Sequence, residues 1–308
     1  MKQSEEYAVA VIGGDLRQMA MAKALAEDGC RVTVYAMDAY TGDPGNVSFA
    51  GSLEEAIRGA DITVLPLPVS RDGERLCCPL TKETILLSGL FSALPENSLA
   101  AGGKITAEIR ALAEKRNVRL VDYFAREDVA VSNAVPTAEG ALALAMTEVP
   151  YTIRDSRCLV LGYGRIGKVL ARTLAAVGAH VTVAARKPTD LAWIRTEGFS
   201  ALPFSAITEE TGNLSHDIVF NTVPAEILTA SVIERFSKET LFLDLASAPG
   251  GIDLAYAKEH GYHVIWALSL PGKTAPVTAG RIIGESILEI LREELGDPSL
   301  GRESGVRG

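Results

Sequence analysis

The chain has 308 residues, of which 47% are hydrophobic and 6% aromatic, so Ala, Val, Leu and Ile must build most of its core, as in α/β domains. This length suits two domains of ordinary size. A formal net charge of −9 and a pI near 5.1 argue against a nucleic-acid surface, which would require clustered cations.

The sequence also indicates the compartment. There is no run of 18 apolar residues, which predicts no membrane span, and the first six residues carry no signal-peptide core. The four cysteines, at positions 30, 77, 78 and 158, lack the spacing of a metal site, and the neighbouring pair is poorly placed for a disulfide. We therefore expect reduced thiols in a cytoplasm and no bound metal.

Residues 1–135 predict a first α/β domain, because apolar segments alternate there with helical patterns and so imply a parallel sheet. The turn Gly13-Gly14-Asp15 resembles a phosphate-binding turn without its third glycine, and we interpret it as a scaffold turn. The predicted strands are Ala8–Ile12, Arg31–Tyr35, Asp61–Leu65, Thr84–Leu87 and Val118–Val121, and the predicted helices are Leu16–Glu27 and Ile105–Lys115.

Residues 136–150 are expected to form a helix that bridges two domains, starting at Pro136 with Thr137 as a candidate cap. Arg126, just before it, is a candidate clamp for a substrate carboxylate; a surface ion pair with Glu127 or Asp128 is the alternative. Other polar residues near the bridge are candidates for the substrate side of a cleft between the domains: Ser132, Asn133, Thr137 and Glu139.

The segment Gly162-Tyr163-Gly164-Arg165-Ile166-Gly167 is the most informative part of the chain. It follows the apolar run Cys158–Leu161 and precedes a helical pattern and the strand His180–Ala185. Strand, Gly-rich turn, helix and strand is the context in which GxGxxG indicates dinucleotide binding. The alternative is a turn that only packs a helix on a strand. Residues 151–277 are thus predicted to be a nucleotide-binding domain.

The choice of cofactor depends on the residues after the second strand of this domain. An NAD site normally has Asp or Glu there, to bond the ribose 2′-hydroxyl. Here the positions are Arg186 and Lys187, two cations suited to a 2′-phosphate, so the sequence predicts NADP.

Further strands are expected near Asp217–Asn221, Leu241–Leu245 and His263–Ala267, and ligands gather at the carboxyl ends of such strands. Ser247 is placed beside the nicotinamide ring. Asp244 lies in an apolar strand and must be paired or lie at the cleft, because an unpaired buried carboxylate is costly. The predicted cofactor-binding residues are Gly162, Gly164, Arg165, Ile166, Gly167, Arg186, Lys187, Asn221, Thr222, Val223, Pro224 and Asp244.

Residues 278–295 predict a long amphipathic helix that packs back on the first domain, and residues 296–308 a disordered tail. The predicted architecture is therefore α/β, with two doubly wound, parallel-sheet, Rossmann-like domains, a cleft and an interdomain helix. None of the four histidines is placed as a general acid–base for a hydroxy-acid dehydrogenase.

Almost the whole chain, residues 5–295, resembles the A-subunit family of dipicolinate synthase. The matching segments are Val11-Ile12-Gly13-Gly14-Asp15 with Arg17-Gln18, Arg126-Glu127-Asp128, residues 133–140, residues 243–251, Pro271-Gly272, Ala275-Pro276 and Thr278-Ala279-Gly280. The second half alone is less specific, since alanine-dehydrogenase-like and hydroxyacid-dehydrogenase-like domains share its plan.

The resemblance implies a role in spore formation, in the mother-cell cytoplasm, together with a flavoprotein-like B subunit in an oligomer. It implies oxidation of a dihydrodipicolinate-type intermediate of the lysine pathway to dipicolinic acid, with NADP⁺ accepting the hydride. Two carboxylate clamps and a base are then needed. Arg126, Ser132 and Thr137 are the candidates for binding substrate, and Glu139, Asn133 and Ser247 for catalysis, with Glu139 as the base.

Two alternatives remain open at this point. One is a scaffold that binds the nucleotide while the B subunit does the chemistry, because the sequence shows no obvious acid–base pair. The other is a stand-alone NADP-dependent dehydrogenase of hydroxy or amino acids.

Overall fold

The computed structural model of the chain describes residues 7–208 and 212–296. The chain divides into two compact units: the first contains the chain up to Ser132 and again from Ala275 onwards, and the second contains Asn133–Thr274. The predicted tail beyond residue 296 lies outside the described residues.

The sheet of the first unit has six parallel strands in the order β3-β2-β1-β4-β5-β6. The strands are β1 (Ala8–Ile12), β2 (Arg31–Tyr35), β3 (Ser48–Phe49), β4 (Ile62–Val64), β5 (Leu99–Gly102) and β6 (Arg119–Asp122). The helices are α1 (Leu16–Glu27), α2 (Leu53–Ile57), α3 (Leu87–Ala93), α4 (Ala107–Glu114) and α5 (Glu127–Ser132), with a 3₁₀ turn at Tyr123–Ala125.

One predicted strand of this unit is wrong. Thr84–Leu87 forms no strand, apart from an isolated bridge at Leu86, and Leu87 begins α3. The strand that follows β4 in the sheet is Leu99-Ala100-Ala101-Gly102, which contains no β-branched or aromatic residue and so lacks the usual sequence signal. It is buried throughout, and burial rather than propensity fixes its conformation.

The second unit repeats the plan, with six parallel strands in the order β12-β11-β10-β7-β8-β9. The strands are β7 (Arg157–Leu161), β8 (His180–Ala185), β9 (Ser200–Pro203), β10 (Ile218–Asn221), β11 (Leu241–Asp244) and β12 (His263–Trp266). The helices are α6 (Ala134–Glu148), α7 (Arg165–Ala176), α8 (Pro188–Thr196), α9 (Phe204–Thr208), α10 (Ala230–Ile233), α11 (Leu254–Glu259) and α12 (Leu270–Thr274).

The two sheets have the same topology, with the strand order reversing between β1 and β4 in one and between β7 and β10 in the other. Ligands of open α/β sheets bind at such switch points, outside the carboxyl ends of the strands. Both predicted Rossmann-like sheets are thus confirmed.

The last helix, α13 (Pro276–Leu295), belongs to the first unit and packs against α1. The contact is close because of Gly280: an added Cβ there would lie 2.5 Å from the carbonyl oxygen of Arg17. Ile283, Ile287 and Leu291 of α13 join the core that contains Met21.

Helix α6 starts two residues before the predicted position and belongs to the second unit. Thr137 does not cap it, because its hydroxyl donates to the carbonyl oxygen of Asn133 (2.7 Å) inside the first turns. The stretch Glu127–Glu148 is long and apolar enough, by length and composition only, to cross a membrane. Core helices of globular domains pass the same test, and α6 packs against α7 and α12.

Candidate nucleotide-binding site

Two glycines of the Gly-rich turn are required by packing. Gly162 has a φ of +99° and donates its N–H to the carbonyl oxygen of Ala184 (2.9 Å). A Cβ on Gly167 would lie 2.1 Å from the carbonyl oxygen of Gly162, so no other residue fits there without moving backbone. These two positions bring α7 close to the end of β7.

Gly164 is different, because no neighbour in the described residues requires a glycine there. It is exposed, its φ is −82°, and no heavy atom lies within 4 Å of an added Cβ. It is the N-cap of the twelve-residue helix α7 and provides no side chain to cap it. The start of α7 is therefore open to an anion, with the helix dipole and its first N–H groups directed outwards.

Arg186 and Lys187 leave the sheet beside this turn. Strand β8 pairs with β7 in the register Leu161 to Ala184, so the residues after Ala185 lie at the edge where Gly162 begins its turn. Both side chains are exposed, and within residues 7–208 and 212–296 neither side chain forms a hydrogen bond or an ion pair. Arg165 and Ile166 form the first turn of α7.

Asn221 and Asp244, at the ends of β10 and β11, are fully buried and bind each other: Asn221 Nδ2 donates to Asp244 Oδ1 at 2.8 Å. The same amide nitrogen donates to Val223 O, and the amide oxygen accepts from Val223 N. Asp244 also accepts from the N–H groups of Ala246 and Gly251. These two side chains fix the loops that follow both strands, and the cofactor-binding role of the two residues stays a prediction.

Gly251 also belongs to this network, although the sequence does not single it out as a functional residue. A Cβ there would lie 2.2 Å from Asn221 Nδ2, so only glycine allows the loop to close over the Asn221–Asp244 pair. The available signal was the pair Gly250-Gly251 after a strand end.

Thr222 joins the two loops at the switch point of this sheet. Its hydroxyl donates to Leu161 O (2.8 Å), and it would lie 2.5 Å from a Cβ on Gly162. Val223 is half-buried and Pro224 exposed, at the same carboxyl edge.

The N-terminal end of α6 lies at this edge too. At its other end, Glu148 bonds His263, the first residue of β12 (3.1 Å), so the C-terminus of α6 lies at the amino edge. A helix of 15 residues spans about 22 Å. Asn133, the N-cap residue, is therefore at the carboxyl edge, as is Ser247, which is exposed after β11. Glu139 is exposed about 9 Å further along the helix.

Arg126 does not lie free for a substrate. Its guanidinium donates to both carboxylate oxygens of Glu293 (2.7 and 2.9 Å) and to Glu289 (3.0 Å), and lies 3.4 Å from Asp128. The hydrogen bonds to Glu293 raise the pKa of Arg126. Three carboxylates disfavour a bound dicarboxylate, so the predicted substrate clamp is corrected to an ion network between α5 and α13. Ser132 is exposed at the end of α5.

Among the described residues, neither the histidines nor a metal-binding cluster offers an alternative catalytic site. His216 lies just before β10 and His180 starts β8, both at the amino edge, and His260 stacks on Tyr256. All four cysteines are free thiols. Within the described residues no group of three or more His, Cys, Asp or Glu is arranged to hold a metal ion.

Comparison with known proteins identifies the family. Residues 8–124 match the N-terminal domain of the dipicolinate synthase A subunit. The A subunit of dipicolinate synthase from Bacillus subtilis (strain 168) is 35% identical over 291 residues, which cover 92% of this chain and 96% of that protein. The chain belongs to the A-subunit family of dipicolinate synthase.

Further matches agree with the site. Residues 118–249 match the NAD binding domain of D-isomer specific 2-hydroxyacid dehydrogenases. The crystal structure of the dipicolinate synthase A subunit from Bacillus halodurans aligns with a TM-score of 0.84 at 30% identity, over 94% of this chain and 99% of that one. A transhydrogenase from Sinorhizobium meliloti (TM-score 0.70, 15% identity, 94% and 95% covered) shares the fold. The second unit is thus a dehydrogenase-type domain for a nicotinamide cofactor, as in oxidoreductases.

Proposed function

We propose that this chain is the NADP-dependent oxidoreductase subunit of a dipicolinate synthase. It would oxidise a dihydrodipicolinate-type intermediate of the lysine pathway to dipicolinic acid during sporulation. The observation that carries the proposal is the open turn at Gly164 beside Arg186 and Lys187, two cations without a partner among the described residues, in a chain of this family.

The residues present fit the cofactor. The N–H groups at the start of α7 would hold the pyrophosphate, with Gly164 leaving room for it, and Arg186 and Lys187 would hold the 2′-phosphate. The buried Asn221–Asp244 pair holds the loops beside the nicotinamide half in one conformation. When bound, NADP⁺ supplies a hydride acceptor.

The reaction requires little beyond positioning, because it ends in an aromatic ring. The dihydro ring loses one hydride, which carries two electrons, and one ring proton, and no other atom leaves. For the proton we propose Glu139, an exposed carboxylate that makes no hydrogen bond to the described residues. Its Cβ tilts towards the N-terminus of α6, where Asn133 and Ser247 would orient the ring.

The assembly is part of the proposal. The name of the Bacillus subtilis relative describes one subunit of a synthase, which supports a partner for this chain, and we propose a flavoprotein-like B subunit in an oligomer. We place its action in the mother-cell cytoplasm, a reducing compartment in which the four thiols would stay free.

The first test is calorimetric titration of the purified chain with NADP⁺ and NAD⁺. Arg186→Asp replaces attraction for the 2′-phosphate by repulsion, so the Kd for NADP⁺ should rise about 100-fold while that for NAD⁺ changes less than about threefold. Arg195→Asp, an equal charge change near the far end of α8, is the control and should leave both constants unchanged. Equal loss of both nucleotides in Arg186→Asp would contradict the assigned role.

A second candidate function is a scaffold that binds the nucleotide while the partner subunit does the chemistry. It is favoured by the histidines, which the structure places away from the carboxyl edge of the second unit. Steady reduction of NADP⁺ by the reconstituted pair, with a KM for NADP⁺ that Arg186→Asp in this chain raises strongly, is expected for the enzyme. Binding without reduction would identify the scaffold.

A further inference from the structure

A buried arginine lies at the switch point of the first unit, where no cofactor is expected. Arg17 is the second residue of α1, and only 8% of its surface is exposed. It lies at the carboxyl edge of the sheet, because α1 begins directly after β1. The side chain of an arginine is seldom buried to this extent unless its charge is paired, and the partner of Arg17 is Asp15.

The guanidinium of Arg17 is held on one side only. Nε donates to Asp15 Oδ1 (3.0 Å), and Nη2 donates to Asp15 Oδ2 (2.8 Å) and to the carbonyl oxygen of Leu67. The third nitrogen, Nη1, makes no hydrogen bond to any residue in 7–208 or 212–296, and it is not buried from solvent. Two N–H groups of a fixed cation are therefore available at this edge.

The surroundings exclude a dinucleotide. Asp15 itself caps α1, so a carboxylate already fills the position that a phosphate would take. The N–H of Gly14 donates to Cys77 O (2.9 Å), and a Cβ on Gly13 would lie 2.4 Å from Cys78 Sγ. The loop containing the two cysteines thus covers the turn, which favours a small ligand at Arg17 over a dinucleotide.

The ligand class follows from the geometry of the donor. Asp15 fixes the orientation of the guanidinium, and Leu67 O ties its end to the loop after β4, so Nη1 is presented without a further loss of side-chain entropy. Because Nε and Nη2 are already bound, a ligand receives only the two N–H groups of Nη1, and a carboxylate oxygen is a strong acceptor for such a charged donor.

We propose that Nη1 of Arg17 binds a carboxylate of a small planar carboxylic acid, the class to which dipicolinate belongs. The identity of the acid rests on the proposed function. The substrate-binding arginine would then be Arg17 rather than Arg126.

The test is calorimetric titration of the full chain with dipicolinate in metal-free buffer, in wild type and in Arg17→Lys. Lysine can keep the ion pair with Asp15 but loses the free guanidinium nitrogen, so the affinity for dipicolinate should fall tenfold or more, by about the strength of a charge-assisted hydrogen bond. Arg31→Lys, an exposed position at the amino edge of the same sheet, should bind as wild type does.

Two further measurements distinguish a lost binding contact from a lost fold and from a wrong proposed function. Arg17→Gln removes the charge, and its melting temperature shows whether the unit still folds. NADP⁺ is titrated in each variant and tests the proposed function independently: its affinity should not change. Dipicolinate affinity that is unchanged in a folded Arg17→Lys, or no binding of dipicolinate by wild type, overturns the inference. If wild type does not bind NADP⁺, the proposed function is overturned instead.

Discussion

After β1 the first unit enters its helix through Gly13-Gly14-Asp15, and after β7 the second unit enters its helix through Gly162-Tyr163-Gly164. In both, the first glycine has a positive φ and donates its N–H to the neighbouring strand. The sheets have the same strand order. What differs is the capping of the helix that follows, and this separates a scaffold turn from a turn that is open to a nucleotide.

In the first unit the N-cap is Asp15, whose carboxylate accepts from the backbone N–H of Arg17, and Gln18 completes a capping box. In the second unit the same positions are Gly164 and Gly167. A helix that caps itself with its own carboxylate has no capacity for a phosphate, whereas a helix capped by an exposed glycine does. The missing third glycine is thus only part of the difference between the two turns.

The largest effect should come from substituting the two kinds of glycine in the second turn, the one that packing requires and the one that it does not. Gly167→Ala places a Cβ against the backbone oxygen of Gly162 and should lower the free energy of unfolding by about 3 kcal/mol. Gly164→Val meets no atom and should cost at most about 1 kcal/mol of stability, yet abolish measurable NADP⁺ binding. Thermal unfolding and calorimetry measure both. Unaltered nucleotide affinity in Gly164→Val would remove the basis for the comparison.

A smaller effect is expected from breaking the buried Asn221–Asp244 pair, which lies outside the Gly-rich turns. Asp244→Asn directs an amide N–H₂ at N–H donors of Ala246, Gly251 or Asn221 and should destabilise the second unit by about 2 kcal/mol. The affinity for NADP⁺ should fall, while that for 2′,5′-ADP, which lacks the nicotinamide half, should not. Asp253→Asn retains a good N-cap on α11 and serves as the control. Equal loss of both ligands would mean that the pair acts only on the fold.

The smallest effect concerns pH. All four histidines are in the second unit, and burial lowers the pKa of His216. A histidine with a lowered pKa in the folded state stabilises the fold above its unfolded pKa, near 6.5, and this contribution is lost as the pH falls below that value. Hydrogen exchange should therefore show the second unit loosening before the first between about pH 7.5 and 5.5. His216→Gln should reduce that difference, and an equal response of both units would argue against it.

Local sequence patterns were sufficient for much of the fold. Alternating apolar segments predicted most of the strand positions, and the GxGxxG with its flanking strands located the turn that the structure leaves open. They failed at Leu99–Gly102, where small residues form a strand only because neighbouring strands bury them.

The sequence by itself determined most strands and helices of the two α/β units, the Gly-rich turn and the cations at positions 186 and 187, because each is a pattern of residues close together in the chain. The tertiary structure alone decided which polar groups are free. Arg126 is occupied by Glu293, 167 positions away, and Arg17 is fixed in part by Leu67, 50 positions away. Hydrogen-bonding capacity is a property of the packed chain, since a side chain can serve a ligand only where no distant residue has already taken its donors or acceptors.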